Sequence, residues 1–157
     1  MASRADPGET AVSTVDASVH REIALRLAGF EQRYTPLRRA LVEVMARAGR
    51  PLTMPEILDG SPELSQSSAY RNLSALVEAG AARRVAGADD HGRFELAEDL
   101  SGHHHHLVCA TCGKVSDMVP SPRLERALAE AVEAAAGDQF EVTEHRFDLV
   151  GTCSDCR

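Results

Sequence analysis

No stretch of about 18 consecutive apolar residues occurs in this 157-residue chain, which excludes a membrane-spanning helix. Residues 1–19 lack the apolar run of a secretion signal, so the chain is read as cytoplasmic, with no membrane partner. There are no internal repeats and no heptad run, which excludes a solenoid or a coiled coil. No His-Glu-x-x-His segment is present, and this argues against a zinc hydrolase of the common kind. Lysine is nearly absent: Lys114 is the only one, so arginine carries almost all the positive charge. Cysteine is also scarce, with four residues, and all four lie in the last third of the chain.

Those four are arranged as two knuckles, Cys109-x₂-Cys112 and Cys153-x₂-Cys156. Thiolates paired at two-residue spacing and closing a long loop are the usual ligands of a tetrahedral, structural zinc ion. Two disulfides are the bland alternative. Adjacent knuckles are poorly placed to staple a core, and a reducing cytoplasm keeps thiols free. Directly before the first knuckle runs His103-His104-His105-His106. A cloning tag is terminal, whereas this run is internal and passes into Leu107-Val108-Cys109, which reads as a strand. It points to a second metal, bound by nitrogen and oxygen.

The net charge of −7 argues against a nucleic-acid partner until it is divided along the chain. Residues 20–88 carry +3, residues 89–157 carry −8, and the rest falls on residues 1–19. A module that can meet phosphate therefore precedes one that can hold cations. The length accommodates one compact domain or two small ones.

The pattern along the chain fits two. Residues 1–18 are small, polar and acidic, and read as a disordered tail. Val19, Ile23 and Leu27 open a helical period. Thr35-Pro36 caps a second helix that Gly49 ends. Thr53-Met54-Pro55-Glu56 is a capping box before a short helix. Ser65–Ser68 starts the next helix, which runs through Leu73 and Leu76 to Gly80. A short helix, a turn and a longer helix make a helix-turn-helix. Strands over 82–86 and 93–97, around a Gly/Asp loop, add a wing. Residues 98–102 read as a hinge. Beyond it come strands over 104–109 and 114–119, a helix over 123–136 and a last strand over 140–150. The expected fold class is α+β: a winged helix-turn-helix domain over 19–97, followed by a small α/β domain over 103–157.

In a strand, alternate side chains share a face. His103 and His105 then point one way, and His104 and His106 the other, so two pairs can serve two different metals. Glu95, Asp117, Glu125 and His145 are at hand to complete them, although an isolated acidic residue on a strand is usually only a solvated face. Imidazole with carboxylate suits zinc, ferrous iron, manganese or nickel. Tyr70-Arg71 lies near the start of the second helix of the helix-turn-helix, where such helices meet base edges and phosphates. The bland alternative makes Tyr70 partly core and Arg71 merely solvated.

Five segments together resemble the ferric uptake regulator (Fur) family in order and spacing. They are Thr35-Pro36-Leu37-Arg38, Ser68-Ala69-Tyr70-Arg71-Asn72-Leu73, Arg93-Phe94-Glu95-Leu96, His103–Cys109 with Cys112-Gly113-Lys114, and Gly151-Thr152-Cys153-Ser154-Asp155-Cys156. They span nearly all of residues 19–157. The resemblance implies a cytoplasmic, homodimeric, metal-dependent repressor that binds palindromic double-stranded DNA through the winged helix and dimerises through the second domain. It assigns the four cysteines to structural zinc. It assigns Glu95, His104 and His106 to a sensor site at the hinge, with Asp117 as an acidic ligand used by peroxide-sensing members. The histidine that many members place before the helix-turn-helix is missing, since Arg50-Pro51-Leu52 stands there. Zinc-sensing members can draw a ligand from the first wing strand, but Ala82, Arg83 and Arg84 offer none, which leaves His91 as the nearest spare donor. His103, His105, Glu125 and His145 match a further metal site. Tyr70 and Arg71, with Arg38 and Ser68, match the DNA-contacting positions. The histidine run makes zinc the favoured sensed metal; the Arg-Phe-Glu segment and Asp117 lean toward iron or a peroxide response, so an iron- or manganese-dependent regulator is the alternative. A zinc hydrolase and a zinc-buffering protein without DNA binding are the rival classes.

Overall fold

The structure is a computed structural model that describes residues 15–87 and 91–157, with only the backbone at position 138. The first helix, α1, covers Ala17–Gly29, and the Asp16 carboxylate accepts from the Ser18 N–H to cap it. The expected tail over 1–18 therefore ends earlier, because Asp16 satisfies a free donor of the first turn; residues 1–14 lie outside the described residues. Helix α2, Pro36–Ala48, starts at Thr35, whose hydroxyl caps the Arg38 N–H, and stops at Gly49 in the left-handed region. Buried His20 joins the two helices through Tyr34 Oη at 2.7 Å and Glu43 Oε1 at 2.9 Å.

A short strand β1, Leu52–Thr53, leads into α3, Met54–Asp59. The Glu56 carboxylate accepts from the Thr53 N–H at 2.7 Å, completing the capping box. Helix α4, Gln66–Glu78, is capped by Ser65 and followed by Gly80 at φ +67°. Strands β2, Ala82–Ala86, and β3, Gly92–Leu96, form the wing, and β3 lies between β1 and β2. Ile23, Leu27, Leu41, Ile57, Leu73 and Leu76 are fully buried and hold these elements around one core.

The expected hinge over 98–102 contains local structure of its own. Glu98–Ser101 form a single helical turn, α5. Arg26 of α1 donates to Asp99 and to the Gly80 carbonyl, and Arg83 of β2 donates to Glu98, so this turn is fastened to the winged helix by charge.

The second half is a three-stranded sheet in the order β5-β4-β6, with β4 at His105–Cys109, β5 at Val115–Met118 and β6 at Asp148–Gly151. β4 pairs antiparallel with β5 and parallel with β6. Helix α6, Pro122–Ala136, is capped by Ser121. The last strand is shorter than the alternation over 140–150 predicts. β4 is five residues long and pairs with residues 148–151 only. Residues 140–147 have no ladder partner and stay irregular, with Phe140 exposed. No helix among the described residues is long and apolar enough to cross a membrane.

Candidate metal centres and DNA-binding helix

Among the described residues, three groups of side chains that could hold a metal ion gather in and beside the second half. Within each group one ligand atom per residue lies within 4.8 Å of the others.

The first group is Cys109, Cys112, Cys153 and Cys156. Cys109 ends β4, and the turn to β5 returns through Gly113 at φ +71°, bringing Cys112 back beside it. The pairing of β6 with β4 delivers the second knuckle, and the Ala110 N–H donates to the Gly151 carbonyl at 2.8 Å. Cys112 Sγ and Cys153 Sγ are 3.8 Å apart. A zinc ion with four thiolates at its usual bond length has sulfur–sulfur edges of about 3.8 Å. Donors from the backbone of residues 112, 153 and 111 pull the Cys109 thiol down to about 6. Bonds with Cys153 and Cys112 push the Cys156 thiol up to about 12. Four thiolates this close repel one another until a dication joins them, which is the fit expected for zinc.

The second group is Glu95, His104, His106 and Asp117. Glu95 comes from wing strand β3, the two histidines from the start of β4 and just before it, and Asp117 from β5 opposite His106. Glu95 Oε2 is 3.3 Å from Nε2 of both His104 and His106. His104 Nδ1 faces the Gly102 carbonyl at 2.8 Å, and His106 Nδ1 faces Asp148 Oδ1 at 3.2 Å. With Nδ1 of each ring held in a hydrogen bond, Nε2 is the atom turned toward the centre, and it offers a lone pair to a metal once it carries no proton. Burial pushes the Glu95 carboxyl up, but the bonds from His106 and the Arg83 guanidinium outweigh it and hold it below the usual range. Burial raises the Asp117 carboxyl, the charge on His104 opposes this, and Glu95 adds to it. Asp117 Oδ1 is buried and has no hydrogen-bond partner. An orphaned acceptor beside two inward lone pairs suits a cation. Asp117 and His104 also line a cleft of about 590 Å³ that opens toward α1 and α2.

The third group is His103, His105, Glu125 and His145, on the opposite face of β4. Glu125 lies in the first turn of α6, with Oε1 3.1 Å from His105 Nε2 and Oε2 3.3 Å from Nε2 of both His103 and His145. Here too one buried atom, His145 Nε2, lacks a hydrogen bond. The alternation of the histidine run thus sends its two pairs to two separate centres.

His91 is brought to neither. It sits exposed at the wing loop, four positions before Glu95 along β3, a distance of roughly 13 Å along an extended chain. Arg83, set aside as a non-ligand, instead lies at the second centre. It donates to Glu95, to Glu98 Oε2 at 3.2 Å and to His104 Nε2 at 3.3 Å. Arg83 and Glu95 face each other across the wing hairpin, and that register was a readable signal. Asp148 was missed for lack of one, because its place beside His106 depends on a parallel pairing 42 residues away in sequence.

On α4, Ala69, Leu73 and Leu76 face the core, and Ser67, Tyr70, Arg71 and Ser74 face outward. Tyr70 is 48% exposed and packs one edge on Phe94 of β3. One expected DNA-contacting residue, Arg38, turns inward, and Ser68 is half-buried. Arg38 is buried, and its guanidinium donates to Asn72 Oδ1 at 3.2 Å, the Arg33 carbonyl at 2.6 Å and Gln32 Oε1 at 2.6 Å. Ser68 accepts from the same Asn72 through its carbonyl at 2.9 Å. Together they fix α4 against α2, because α2 begins beside the start of α4 and the guanidinium finds its partners there.

The ferric uptake regulator family profile matches residues 30–150. The peroxide-responsive repressor PerR of Staphylococcus epidermidis is 30% identical over 154 residues, covering 93% of this chain and 95% of that protein. The peroxide operon regulator of Bacillus subtilis is 29% identical, covering 79% of this chain and 83% of that protein. Among solved structures, the ferric uptake regulator Fur of Helicobacter pylori, in which three functional metal binding sites are described, superposes with a TM-score of 0.72 at 23% identity. That match covers 92% of this chain and 95% of the other. Members of this family are transcriptional regulators rather than enzymes, and this chain belongs to the ferric uptake regulator family as a metal-dependent regulator.

Proposed function

We propose that the chain is a homodimeric repressor whose affinity for a palindromic operator is set by a divalent metal held at Glu95, His104, His106 and Asp117. One observation carries this reading: the four ligands come from both halves of the molecule. Glu95 belongs to the winged helix, and the other three belong to the sheet beyond α5. An ion shared by these residues restricts how the wing is oriented on the second half. In a dimer that orientation sets the spacing of two recognition helices, and only one spacing lets both enter major grooves of a palindrome.

The second copy is expected on the sheet and helix of the second half. β6 is an edge strand with Leu149 and Val150 exposed. On α6, Leu124, Leu128 and Val132 form an apolar face on which no residue is fully buried. An open apolar edge beside an uncovered amphipathic helix is unstable alone and well suited to pairing with its own copy. A DNA partner places the protein in the cytoplasm. The four cysteines take a structural zinc ion that keeps both knuckles on this sheet.

For the sensed ion we favour iron(II) or manganese(II). The centre has two imidazoles, two carboxylates and no thiolate, and carboxylate-rich sets favour the harder ions. Zinc is the second reading, favoured by the histidine run. His103, His105, Glu125 and His145 form a further metal site on the opposite face.

The experiment is selection from random-sequence duplexes by the purified protein, with manganese(II), iron(II) or zinc added singly. Enrichment of one palindrome by iron or manganese is expected, followed by release from the iron-loaded protein on exposure to hydrogen peroxide. Enrichment by zinc alone would favour the second reading. No enrichment with any metal would refute a metal-dependent repressor.

A further inference from the structure

The guanidinium of Arg83 reaches into the second metal centre from β2. It donates to Glu95 and, at 3.2 Å, to Glu98 Oε2, and its Nη2 lies 3.3 Å from His104 Nε2. Guanidinium has donors only, so the imidazole nitrogen it meets must present a lone pair. Arg83 therefore engages Glu95 through Oε1, the oxygen beside the one that faces both histidines, and engages the His104 lone pair that would bind the ion. Its neighbour Arg84 is exposed and points to the other face of the hairpin. Glu98 is the third partner. It sits on α5, outside the centre, and also accepts from His103.

We propose that Arg83 is a built-in competitor of the sensed metal, which must displace the guanidinium from Glu95 and His104 onto Glu98 alone. This inference rests on the sensor reading of Glu95, His104, His106 and Asp117. A buried carboxylate needs a counter-charge whether or not metal is present. Glu95 is 5% exposed, and Arg83 is a counter-charge built beside it. A dication arriving at Glu95 Oε2 and at the same His104 lone pair repels the guanidinium on neighbouring Oε1 and takes away its imidazole acceptor. Glu98 lets the cation leave without becoming unpaired. Arg83 thus sets the metal concentration at which the protein responds. Its bond to Glu98 ties the wing to the hinge turn in either case.

The test measures manganese(II) binding by chelator competition on the full-length protein carrying its cysteine-bound zinc. Arg83→Met keeps the aliphatic stem over the wing and removes the charge. It is expected to bind manganese about tenfold more tightly, a change of one decade in the dissociation constant. Arg84→Ala, which removes the same charge one residue away, is expected to stay within about twofold. Glu98→Gln is expected to weaken binding about threefold in the wild-type background and to have no effect in Arg83→Met, since the two act through one another. Metal-free Arg83→Met should melt below the metal-free wild type, and the manganese-loaded forms should melt alike. Should Arg83→Met not fold, Arg83→Gln serves in its place.

Unchanged or weaker manganese binding in Arg83→Met would overturn the proposal, making Arg83 a positioning residue for Glu95. Equal weakening by Glu98→Gln in both backgrounds would also overturn it, because Glu98 would then act directly on the ion. Failure of the underlying sensor reading looks different: wild type and His104→Ala would bind manganese alike.

Discussion

Residues 17–96 bury Ile23, Leu27, Leu41, Ile57, Leu73, Leu76 and Phe94 in one continuous apolar core. Residues 103–157 bury only Val108, Cys109 and Val115 among their apolar side chains, and leave Val119, Phe140 and Val150 more than 60% exposed. The first half is held by packing. The second half has the secondary structure of a domain without the core of one, and three polar clusters occupy the places where apolar contacts would otherwise do the work. A small fold of this kind takes its stability from ligands and from a partner. On the proposed reading the same division separates function: the packed half presents Tyr70 and Arg71 to DNA, and the ligand-built half responds to an ion.

The comparison breaks most readily at the cysteines. Cys109→Ser, or zinc removal by a strong chelator, should cost the second half on the order of 10 kcal/mol of metal-derived folding energy. Amides of residues 105–118 and 148–151 are expected to lose protection from hydrogen exchange, and the dimer to dissociate, while α1–α4 stay protected. Uniform loss across both halves would show that they fold as one unit. The converse change is Leu73→Ala. It should destabilise the winged helix by about 2–5 kcal/mol through the cavity it leaves, without changing zinc content. A calorimetric scan with a zinc assay reads both.

Smaller effects sharpen the picture at the DNA face. Arg71→Ala and Tyr70→Ala should each weaken operator binding by about 1–3 kcal/mol at fixed salt, with the melting temperature little changed. Arg38→Ala should do the reverse in kind, lowering the melting temperature because Asn72 loses its partner. Equal affinity for operator and random DNA in wild type would remove the recognition role of α4. The smallest expected effect is at the capping box. Burial raises the Glu56 carboxyl, but bonds from Arg50 and from Thr53 bring it down to about 2. The folded value lies below the unfolded one, so this stabilisation is present above about pH 4.5 and is lost as pH falls toward 2. Glu56→Gln should cost about 0.5–1 kcal/mol at neutral pH, judged by the usual worth of a cap, and flatten the acid limb of the stability curve. Denaturant titrations at pH 7 and pH 3 measure it.

Much of this was readable before the structure, for physical reasons that differ by site. Caps at Thr35, Thr53 and Ser65 and the stop at Gly49 are local rules, so the helices fall where the residues place them. The alternation of His103–His106 is equally local and divides the run between two centres. What escaped is non-local. The last strand is cut to 148–151 because its length is set by β4 and not by its own alternation. Asp148 meets His106 through that pairing, and Arg38 is drawn inward by Asn72, 34 residues away. Arg83 was judged by what it cannot ligate, whereas its importance lies in the charge it brings to Glu95.

The central claim is that an ion at the junction of the two halves controls DNA binding. The most direct measurement is operator affinity of wild type, His104→Ala and His103→Ala, each with and without manganese(II), with dimer and cysteine-bound zinc verified in every sample. Wild type should gain about 5–150-fold in affinity from the metal, the usual span of such coupling. His104→Ala should gain nothing, and His103→Ala should keep most of the gain. A full metal-dependent gain in His104→Ala, or equal loss in both variants, would contradict the account.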